Sequence, residues 1–335
     1  MAARKVTERS LFALSTMAYR NINFTVRAMS TKMIDFNKLD NSQMKQFKEK
    51  YDSYIFDWDG CLISFENKPF EGVKDVIQEI EKNKKGLMVL TNNCLHTVGD
   101  LGDIVHGHFP SINKENVKNS GYFVVNYLKK INFDKKIYAI GTECGVITDL
   151  KDNSFDVVYD KEIKSMSLPF LNKIKFDKDV EAVLIAGDPN LNYLKMLNAV
   201  NYLKNPKVLF LQSHIPTVVR INANLDLPVA GATVEYVKAA SGRKETICVG
   251  KGGEYFTEYM KSLGLDHQRT LFVGDDISSD ILAGNLACMD TMLVLTGNST
   301  LEMVEQDKCE NHENKIPTYY TNSVADLIKL FKVDG

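Results

Sequence analysis

The stretch Tyr54-Ile-Phe-Asp-Trp-Asp-Gly-Cys-Leu62 places two carboxylates, Asp57 and Asp59, directly after a short apolar run. Such a run predicts a buried β-strand, and Gly60 predicts a turn after it. In open α/β sheets, ligands bind at the carboxyl ends of the strands, so both acids are candidate site residues. Two acids this close repel each other unless a cation or a shared proton lies between them. The alternative is an acidic turn without function, because Asp and Gly are common in turns.

Three further apolar runs also end in polar side chains, and each run is predicted to form a β-strand. Gly86–Leu90 leads into Thr91, Asn92 and Asn93; Thr246–Gly250 leads into Lys251; and Thr270–Gly274 leads into Asp275, with Asp280 close behind. The strand–helix–strand order predicts parallel pairing, with the strand ends on one edge of a sheet. Four polar ends at one edge favour a functional site over an acidic turn.

The residue types at these strand ends suit phosphoryl transfer. Asp57, Asp275 and a backbone carbonyl near Asp59 can present oxygens to Mg²⁺, which prefers one or two carboxylates with water and substrate phosphate. One carboxylate can attack phosphorus and form an aspartyl-phosphate, while a protonated carboxyl can give its proton to the leaving oxygen. Thr91 and Lys251 can donate to the phosphoryl oxygens, where charge is spread in the transition state.

The composition is that of an ordinary globular protein: 335 residues, of which 44% are hydrophobic and 25% charged. The formal net charge of −2 argues against nucleic acid as a partner. No apolar run approaches the roughly 18–20 residues that cross a bilayer, so no membrane partner is expected. The 6 cysteines are scattered without metal-binding spacing, which predicts reduced thiols in a cytoplasmic protein.

The first 32 residues differ from the rest of the chain because they are basic and almost free of acid. They contain Arg4, Lys5, Arg9, Arg20, Arg27 and Lys32 against the single acid Glu8. Such a composition resembles a mitochondrial transit peptide, which would change the expected location from the cytoplasm to the mitochondrion. The alternative is a dispensable disordered extension.

The length favours two domains, or one domain with a large insertion. We predict an N-terminal extension over residues 1–45 and a Rossmann-like α/β core in two parts, 46–136 and 243–335. Residues 137–242 contain enough predicted strands and helices to cover a sheet of their own, so they are predicted to form an inserted α/β domain.

The motifs at the strand ends resemble those of haloacid dehalogenase-like (HAD) phosphatases. These motifs are Asp57-Trp-Asp-Gly-Cys-Leu62, Leu90-Thr-Asn-Asn93, Gly250-Lys251 and Val273-Gly-Asp-Asp-Ile-Ser-Ser-Asp-Ile-Leu-Ala-Gly284. Within that family the chain is similar to the branch with a large cap between the second and third motifs. That branch includes phosphoglycolate and glycerol-3-phosphate phosphatases, pyridoxal phosphate phosphatase, 4-nitrophenylphosphatases and the NagD proteins.

The resemblance implies a HAD core with a parallel sheet and a large α/β cap. It implies Asp57 as nucleophile, Asp59 as general acid and base, and Thr91 and Lys251 as ligands of the phosphoryl group. It further implies Mg²⁺ on Asp57, the Asp59 carbonyl and Asp275, with Asp280 behind these ligands. Relatives usually carry Arg at the position of Asp276, which is therefore interpreted as a surface acid or an acid behind the ligands, not as a ligand. Asn92 and Asn93 would line the substrate entrance. A small phosphorylated metabolite is the expected substrate, and dimerisation of two copies through the cap is expected from the same resemblance.

Three stretches depart from the family's usual pattern: Cys94-Leu-His-Thr-Val98, Gln212-Ser-His-Ile-Pro216 and Gly250-Lys-Gly-Gly-Glu254. We expect a Mg²⁺-dependent phosphatase, and the departures leave its substrate open. They also motivate an alternative, a weakly active or non-catalytic relative that binds a phosphometabolite or a protein through an altered cap. A phosphomutase is a third reading, which the large cap disfavours. His96 and His214 either contact the substrate or are polar loop residues without a role.

Overall fold

The computed structural model describes residues 33–161, 168–222 and 224–333, and a parallel seven-stranded sheet forms its first layer. The strands of this sheet are β1 (Ile34–Asp35), β2 (Ser53–Phe56), β3 (Gly86–Leu90), β4 (Val117–Lys118), β12 (Thr270–Gly274), β13 (Asp290–Val294) and β14 (Tyr319–Thr321). Their spatial order is β1-β14-β13-β12-β2-β3-β4. All pairs are parallel, so the carboxyl ends of these strands lie at the same edge.

The second layer of strands comes from the residues inserted between β4 and β12. A five-stranded parallel sheet contains β5 (Lys136–Ile140), β6 (Val157–Val158), β7 (Val180–Ile185), β8 (Leu209–Gln212) and β11 (Ile247–Cys248). Strands β9 (Val218–Asn222) and β10 (Leu225–Pro228) form a separate antiparallel hairpin. The predicted fold class, a parallel Rossmann-like core with a large inserted α/β cap, is therefore confirmed.

Helices cover the sheets and begin where the sequence offers caps. The α-helices are α1 (Asn41–Lys50), α2 (Val73–Lys82), α3 (Val98–His108), α4 (Ser120–Lys130), α5 (Thr148–Asp152), α6 (Leu168–Leu171), α7 (Tyr193–Leu203), α8 (Ala230–Ser241), α9 (Glu254–Ser262), α10 (Leu282–Leu286) and α11 (Leu301–Cys309). A 3₁₀ helix spans Val324–Phe331, and π-helical turns at Glu143–Ile147 and Ile277–Ile281 precede α5 and α10. The side chain of Asp40 caps α1 by accepting from Gln43 N, whose side chain accepts from Asp40 N in return.

One apolar cluster joins the two sheets. It contains Ile55 and Phe272 from the first sheet and Leu184 from the second, all fully buried. Between the sheets, Phe123 of α4 meets Phe256 of α9 edge to face, with 5.0 Å between ring centroids. Because the cluster is shared, the core and the cap pack against each other directly.

The structure corrects the predicted start of the core at residue 46. Residues 34–35 already form β1 and pair with Tyr319 and Tyr320 of β14, and the following Phe36 is fully buried. A strand of two residues is too short to show the alternation by which strands are recognised in a sequence. Residues 1–32, whose composition resembles a transit peptide, lie outside the described residues.

The prediction that Thr246–Gly250 returns to the core sheet is also wrong. Ile247 and Cys248 pair in parallel with Leu211 and Gln212 of β8, so this strand is an edge of the cap sheet. The sequence of a short strand of intermediate burial does not show which sheet the strand joins, and the order of elements along the chain was the only reason to place it in the core.

Across the part of the chain that the structure describes, no helix is long and apolar enough to cross a membrane.

Candidate active site

The register of the core sheet brings three of the four predicted strand ends together. Phe56 of β2 lies opposite Val273 of β12 on one side and opposite Val89 of β3 on the other. The next residue along, Asp57, donates its backbone N–H to the Val273 carbonyl at 2.9 Å. Asp57 therefore lies between the ends of β3 and β12, where Thr91 and Asp275 follow.

Lys251 reaches the same place from the cap sheet. Its ammonium Nζ lies 2.6 Å from Asp57 Oδ1 and 2.5 Å from Asp280 Oδ1, and the lysine is 1% exposed. The preceding Gly250 makes this approach possible, since a Cβ at that position would lie 2.0 Å from the Ser213 carbonyl oxygen. Lys251 was predicted to follow a strand of the core sheet. It does lie in the site, but it follows β11 of the cap sheet.

Four buried residues, which we call the acidic floor, form the centre of the site: Asp57, Lys251, Asp275 and Asp280. One carboxylate oxygen from each acid lies within 4.8 Å of the others. Asp280 is held from both sides, because Oδ1 accepts from Lys251 and Oδ2 accepts from the Asp276 backbone N–H at 3.1 Å. Asp57 Oδ1 is buried and meets Lys251 only as an ion pair, without an accepted hydrogen bond of good geometry.

Glycines crowd closely around Asp275. A Cβ added to Gly60 would lie 2.6 Å from Asp275 Oδ2, and one added to Gly297 would lie 2.0 Å from the same atom. Gly60 also has a φ of +81°, which side chains other than glycine rarely adopt. The same Oδ2 accepts the Asn298 backbone N–H at 2.7 Å. The conformation of Asp275 is thus fixed by the backbone around it.

The remaining predicted residues lie at the edge of the floor. Asp59 Oδ2 accepts from the side-chain amide of Asn93 at 3.0 Å, so the second acid is oriented by the end of β3. The Thr91 hydroxyl accepts from the Asn93 backbone N–H at 3.1 Å, and its own O–H is then able to donate elsewhere. The Asn92 side chain accepts the Lys251 backbone N–H at 3.1 Å and so ties β3 to the lysine.

Asp59, Asp275 and Asp280 have pKa values above their ordinary range. Burial, opposed by the Asn93 hydrogen bond, raises the pKa of Asp59 to about 6. Burial and the neighbouring Asp57 carboxylate raise the pKa of Asp280 to about 7, and burial with the same neighbour raises that of Asp275 well above its usual value. Burial alone would lower the pKa of Lys251, but the Asp280 and Asp57 carboxylates outweigh it and raise that pKa. The floor is acid-rich, and a bound cation would stabilise its ionised form.

Asp276 is buried, which rules out a surface acid and leaves the other predicted position, behind the metal ligands. It is 7% exposed and accepts two hydrogen bonds, from the Ser278 backbone N–H at 2.6 Å and from the Asn298 amide at 2.9 Å. It therefore acts as the N-cap of the π-helical turn that carries Asp280. Burial raises its pKa.

A cavity of about 510 Å³ opens above the acidic floor, between the core and the cap. Both histidines that the sequence singled out line it. His96 is exposed, whereas His214 is 5% exposed and its Nδ1 lies 2.9 Å from the Ser213 hydroxyl. Burial, and then the Lys251 charge, lower the pKa of His214 to about 4, so its imidazole is neutral near pH 7. A buried, neutral imidazole at a cavity fits substrate contact better than the role of a polar loop residue.

Sequence reasoning missed two contributors to the site. Asn298 holds both Asp275 and Asp276, and it follows β13 as a further polar strand end, which was the available signal. The hairpin β9–β10 was also missed, although apolar residues alternate at Val219 and Ile221 and again at Leu225 and Leu227, with Asn222 and Asn224 near the turn. Val219, Ile221 and Leu227 line the cavity, and we call these three residues the hairpin wall.

The donor set of the floor fits a small divalent cation. Carboxylate oxygens are the ligands that Mg²⁺ prefers, and Asp57, Asp275 and Asp280 present three within a small volume. Both oxygens of Asp280 already accept hydrogen bonds, so Asp57 and Asp275 are the carboxylates better placed to hold the ion. A second acidic group, Asp307, Glu310 and His312, is mostly exposed and lies away from the cavity lining.

Comparisons with known proteins define the class. Residues 54–156 match the family model described as haloacid dehalogenase-like hydrolase, and residues 249–327 match a second HAD-like hydrolase model. Phosphoglycolate phosphatase 2 of Arabidopsis thaliana is 30% identical over 302 residues, which cover 88% of this chain and 98% of that protein. The 4-nitrophenylphosphatase of Schizosaccharomyces pombe is 28% identical over 294 residues, covering 85% and 96%.

A solved structure of 4-nitrophenylphosphatase from Thermotoga maritima has the same fold. It matches with a TM-score of 0.68 at 19% identity, over 84% of this chain and 98% of that chain. The chain therefore belongs to the haloacid dehalogenase-like hydrolases. The predicted family and the predicted enzyme class, a HAD-type phosphoric monoester hydrolase, are confirmed by these relatives.

Proposed function

We propose that this protein is a Mg²⁺-dependent phosphatase that hydrolyses small phosphorylated metabolites through an aspartyl-phosphate on Asp57. The observation that carries the proposal is the contact of Asp57 with Lys251 at the bottom of a cavity large enough for a substrate. Lys251 places a donor beside the Asp57 carboxylate, the group that would attack phosphorus.

In the first step, a carboxylate oxygen of Asp57 forms a bond to phosphorus while the bond from phosphorus to the leaving oxygen breaks. Protonated Asp59 gives its proton to that oxygen, and a pKa of about 6 leaves a useful protonated fraction near neutral pH. The Thr91 hydroxyl and the Lys251 ammonium donate to the phosphoryl oxygens.

In the second step, water attacks the phosphorus of the aspartyl-phosphate. Asp59, now ionised, takes a proton from this water, and the bond between phosphorus and Asp57 breaks to release phosphate. The hydrogen bond from the Asn93 amide holds Asp59 in one orientation through both steps, because Asp59 Oδ2 can accept it whether the carboxyl group is protonated on its other oxygen or ionised. Asp280 positions Lys251 and does not itself touch the reacting atoms.

Asp57, Asp275 and the backbone carbonyl of Asp59 would hold the magnesium ion. When bound, the ion neutralises charge on the phosphoryl oxygens and on the acids themselves. Asn92 and Asn93 are assigned to the mouth of the site on the core side, where both line the cavity. The relatives named for phosphoglycolate and for 4-nitrophenyl phosphate make phosphate monoesters of that size, including glycerol-3-phosphate, the first candidates as substrates.

A hydrolysis assay tests the proposal. The wild-type protein is expected to release phosphate from 4-nitrophenyl phosphate only with added Mg²⁺, and Asp57→Asn to lose at least about 10³-fold in kcat. Asp75→Asn makes the same chemical change on the exposed surface of α2 and serves as the control. If Asp57→Asn hydrolysed the ester at the wild-type rate, Asp57 would not be the nucleophile. If wild type turns over no ester in a broad panel but still binds one, the non-catalytic alternative is correct.

We also propose a homodimer formed through the cap. The support is a set of exposed apolar side chains on this domain: Leu191 and Tyr193 near the start of α7 and Tyr236 on the adjoining α8. Sedimentation of the wild type is expected to give a dimer, and Tyr193→Asp a monomer. A monomeric wild type would rule the interface out.

A further inference from the structure

The cavity is larger than its phosphate-binding part requires. A volume of about 510 Å³ falls within the range of about 300–1,000 Å³ typical of pockets for whole small molecules. Most polar groups gather at the acidic floor and at the end of β3; the others are Ser64 and Asn67 on the loop after β2, and Asp188 and His214 from the cap. The remaining space would hold the leaving group, which is the part of the substrate beyond the ester oxygen. The residues that line this space therefore indicate the chemical character of the leaving group.

Apolar side chains from three directions surround this outer space. The hairpin wall supplies Val219, Ile221 and Leu227; the loop after β2 supplies Ile63 and Phe65; and α3 supplies Leu101 and Ile104. Within the hairpin, Val219 pairs directly with Leu227, which makes a continuous apolar surface across both strands. Burial of an apolar leaving group against this surface is favourable, whereas the surface has no hydrogen-bond or ion-pair partner for a charged group.

Among the described residues, the outer space also offers no lysine or arginine that is free to pair with an anionic leaving group. Of the described residues that line the cavity, Lys251 is the only lysine or arginine, and it is engaged by Asp57 and Asp280. Arg220 alternates with Val219 and Ile221 along β9, and its guanidinium lies 3.4 Å from Asp226 instead. A carboxylate placed against the hairpin wall would lose its water without gaining a partner.

We propose that the substrate is a phosphate monoester whose leaving group is uncharged and apolar, of the size of an aromatic ring or a six-carbon chain. The proposal rests on the phosphatase function proposed above and narrows its substrate class. It disfavours short esters that carry a second anionic group, such as phosphoglycolate, even though relatives of this chain are named for that compound.

Three alkyl phosphates test this selectivity. With Mg²⁺, kcat/KM for hexyl phosphate is expected to exceed that for ethyl phosphate by at least about tenfold, since the two differ only in methylenes that the wall covers. Phosphoglycolate is expected to fall below ethyl phosphate. Equal values for hexyl and ethyl phosphate, or a preference for phosphoglycolate over hexyl phosphate, would overturn the proposal while leaving the phosphatase function intact.

Variants of the hairpin locate the effect. Leu227→Ser is expected to lower the ratio of hexyl to ethyl phosphate turnover by at least about threefold. Leu225→Ser makes the same change on the same strand at an exposed position outside the cavity lining, and it should leave the ratio unchanged. Ile221→Arg adds the missing cation, and is expected to raise phosphoglycolate relative to hexyl phosphate by about tenfold. Equal ratios in Leu227→Ser and Leu225→Ser would contradict the assignment of the wall.

Binding of uncleavable analogues decides the matter even if no ester is hydrolysed. By calorimetry, hexylphosphonate is expected to bind at least about tenfold more tightly than ethylphosphonate. If the protein shows this preference but hydrolyses no ester, the apolar subsite is supported and the phosphatase function is contradicted. If the two phosphonates bind with equal affinity, the apolar subsite is contradicted.

Discussion

In the acidic floor each charged group has a named partner, whereas the hairpin wall is made of side chains that need no partner. Lys251 lies between Asp57 and Asp280, and Asp275 accepts from the Asn298 backbone. These atoms are buried, so a misplaced charge there costs several kcal/mol. In contrast, Leu227 is 43% exposed and contributes only apolar surface. The floor is therefore intolerant of change, while the wall can change with the substrate.

The acidic floor and the hairpin wall also differ in the secondary structure that carries them. Asp57 and Asp275 lie at the ends of strands in the middle of the core sheet, where the register with neighbouring strands fixes their positions, and Asp280 lies on the π-helical turn that follows β12. The hairpin wall belongs to a two-stranded sheet that pairs with no other strand of the described chain. A two-stranded hairpin gains little stability from its own pairing. Chemistry and selectivity are thus carried by parts of very different rigidity.

Removing the charge at the centre of the floor is expected to have the largest effect. Lys251→Met leaves Asp57 and Asp280 buried without their common partner, so we expect a loss of about 3–5 kcal/mol in the free energy of unfolding. The kcat should fall by about 10³-fold or more, because the phosphoryl oxygens lose a donor. Urea unfolding and steady-state kinetics measure the two effects, with the exposed Lys244→Met as the matched control. A variant as stable as this control would show that the lysine is not structural.

The second acid is expected to show an effect that depends on the leaving group. Asp59→Asn cannot give a proton to the leaving oxygen, so kcat for an alkyl phosphate should fall by about 10²-fold or more. For 4-nitrophenyl phosphate the loss should be smaller, since nitrophenolate departs without a proton. Parallel assays of both esters, with Asp75→Asn as control, measure the difference. Equal losses for the two esters would contradict a role as general acid.

Much of the floor could be predicted from the sequence because alternation of strands and helices fixes parallel pairing. Asp57, Thr91 and Asp275 follow consecutive strands in space, and chain order alone places such ends at one edge. Lys251 was predicted as a site residue but on the wrong sheet. Its strand could join either sheet, and only the three-dimensional packing of Gly250 against Ser213 decides between them.

The wall could not be predicted in the same way. Its residues alternate along the hairpin, so the strands themselves were detectable, but which face of an exposed hairpin points at a cavity depends on how the cap packs on the core. The burial of His214 and Asp276 has the same origin. The sequence left open whether His214 contacts the substrate or is a loop residue without a role, and whether Asp276 lies at the surface or behind the ligands. In the fold each is enclosed by a residue from another part of the chain, Lys251 beside His214 and Asn298 beside Asp276.

His214 lies where the floor meets the cavity, and its burial should make stability depend on pH. Its pKa is about 4 in the folded protein against about 6.5 for an ordinary histidine, so the unfolded chain binds more protons between these values. The free energy of unfolding should therefore fall as the pH decreases from about 6.5 to 4, by about 2–3 kcal/mol from this residue. His214→Gln should lose this part of the dependence.

Urea unfolding at several pH values between 4 and 7 gives the measurement, and the same substitution at the exposed His96 serves as the matched control. Asp149 acts in the opposite direction, because burial raises its pKa to about 6 and the folded form gains a proton on acidification. That contribution is present in every variant and cancels in the difference from wild type. Parallel curves for wild type and His214→Gln would show that the histidine is charged or exposed in solution.

The smallest effect is expected in the wall, and it distinguishes the two regions most directly. Leu227→Ala removes an exposed side chain and should change the free energy of unfolding by no more than about 0.5 kcal/mol. The same substitution at the fully buried Leu184 of β7 should cost about 2–5 kcal/mol through the cavity it leaves. If Leu227→Ala lowers turnover of hexyl phosphate without a change in stability, selectivity is separable from folding at this hairpin. A stability loss like that of Leu184→Ala would instead mean that the wall holds the cap in place, and that its apolar surface serves packing rather than the substrate.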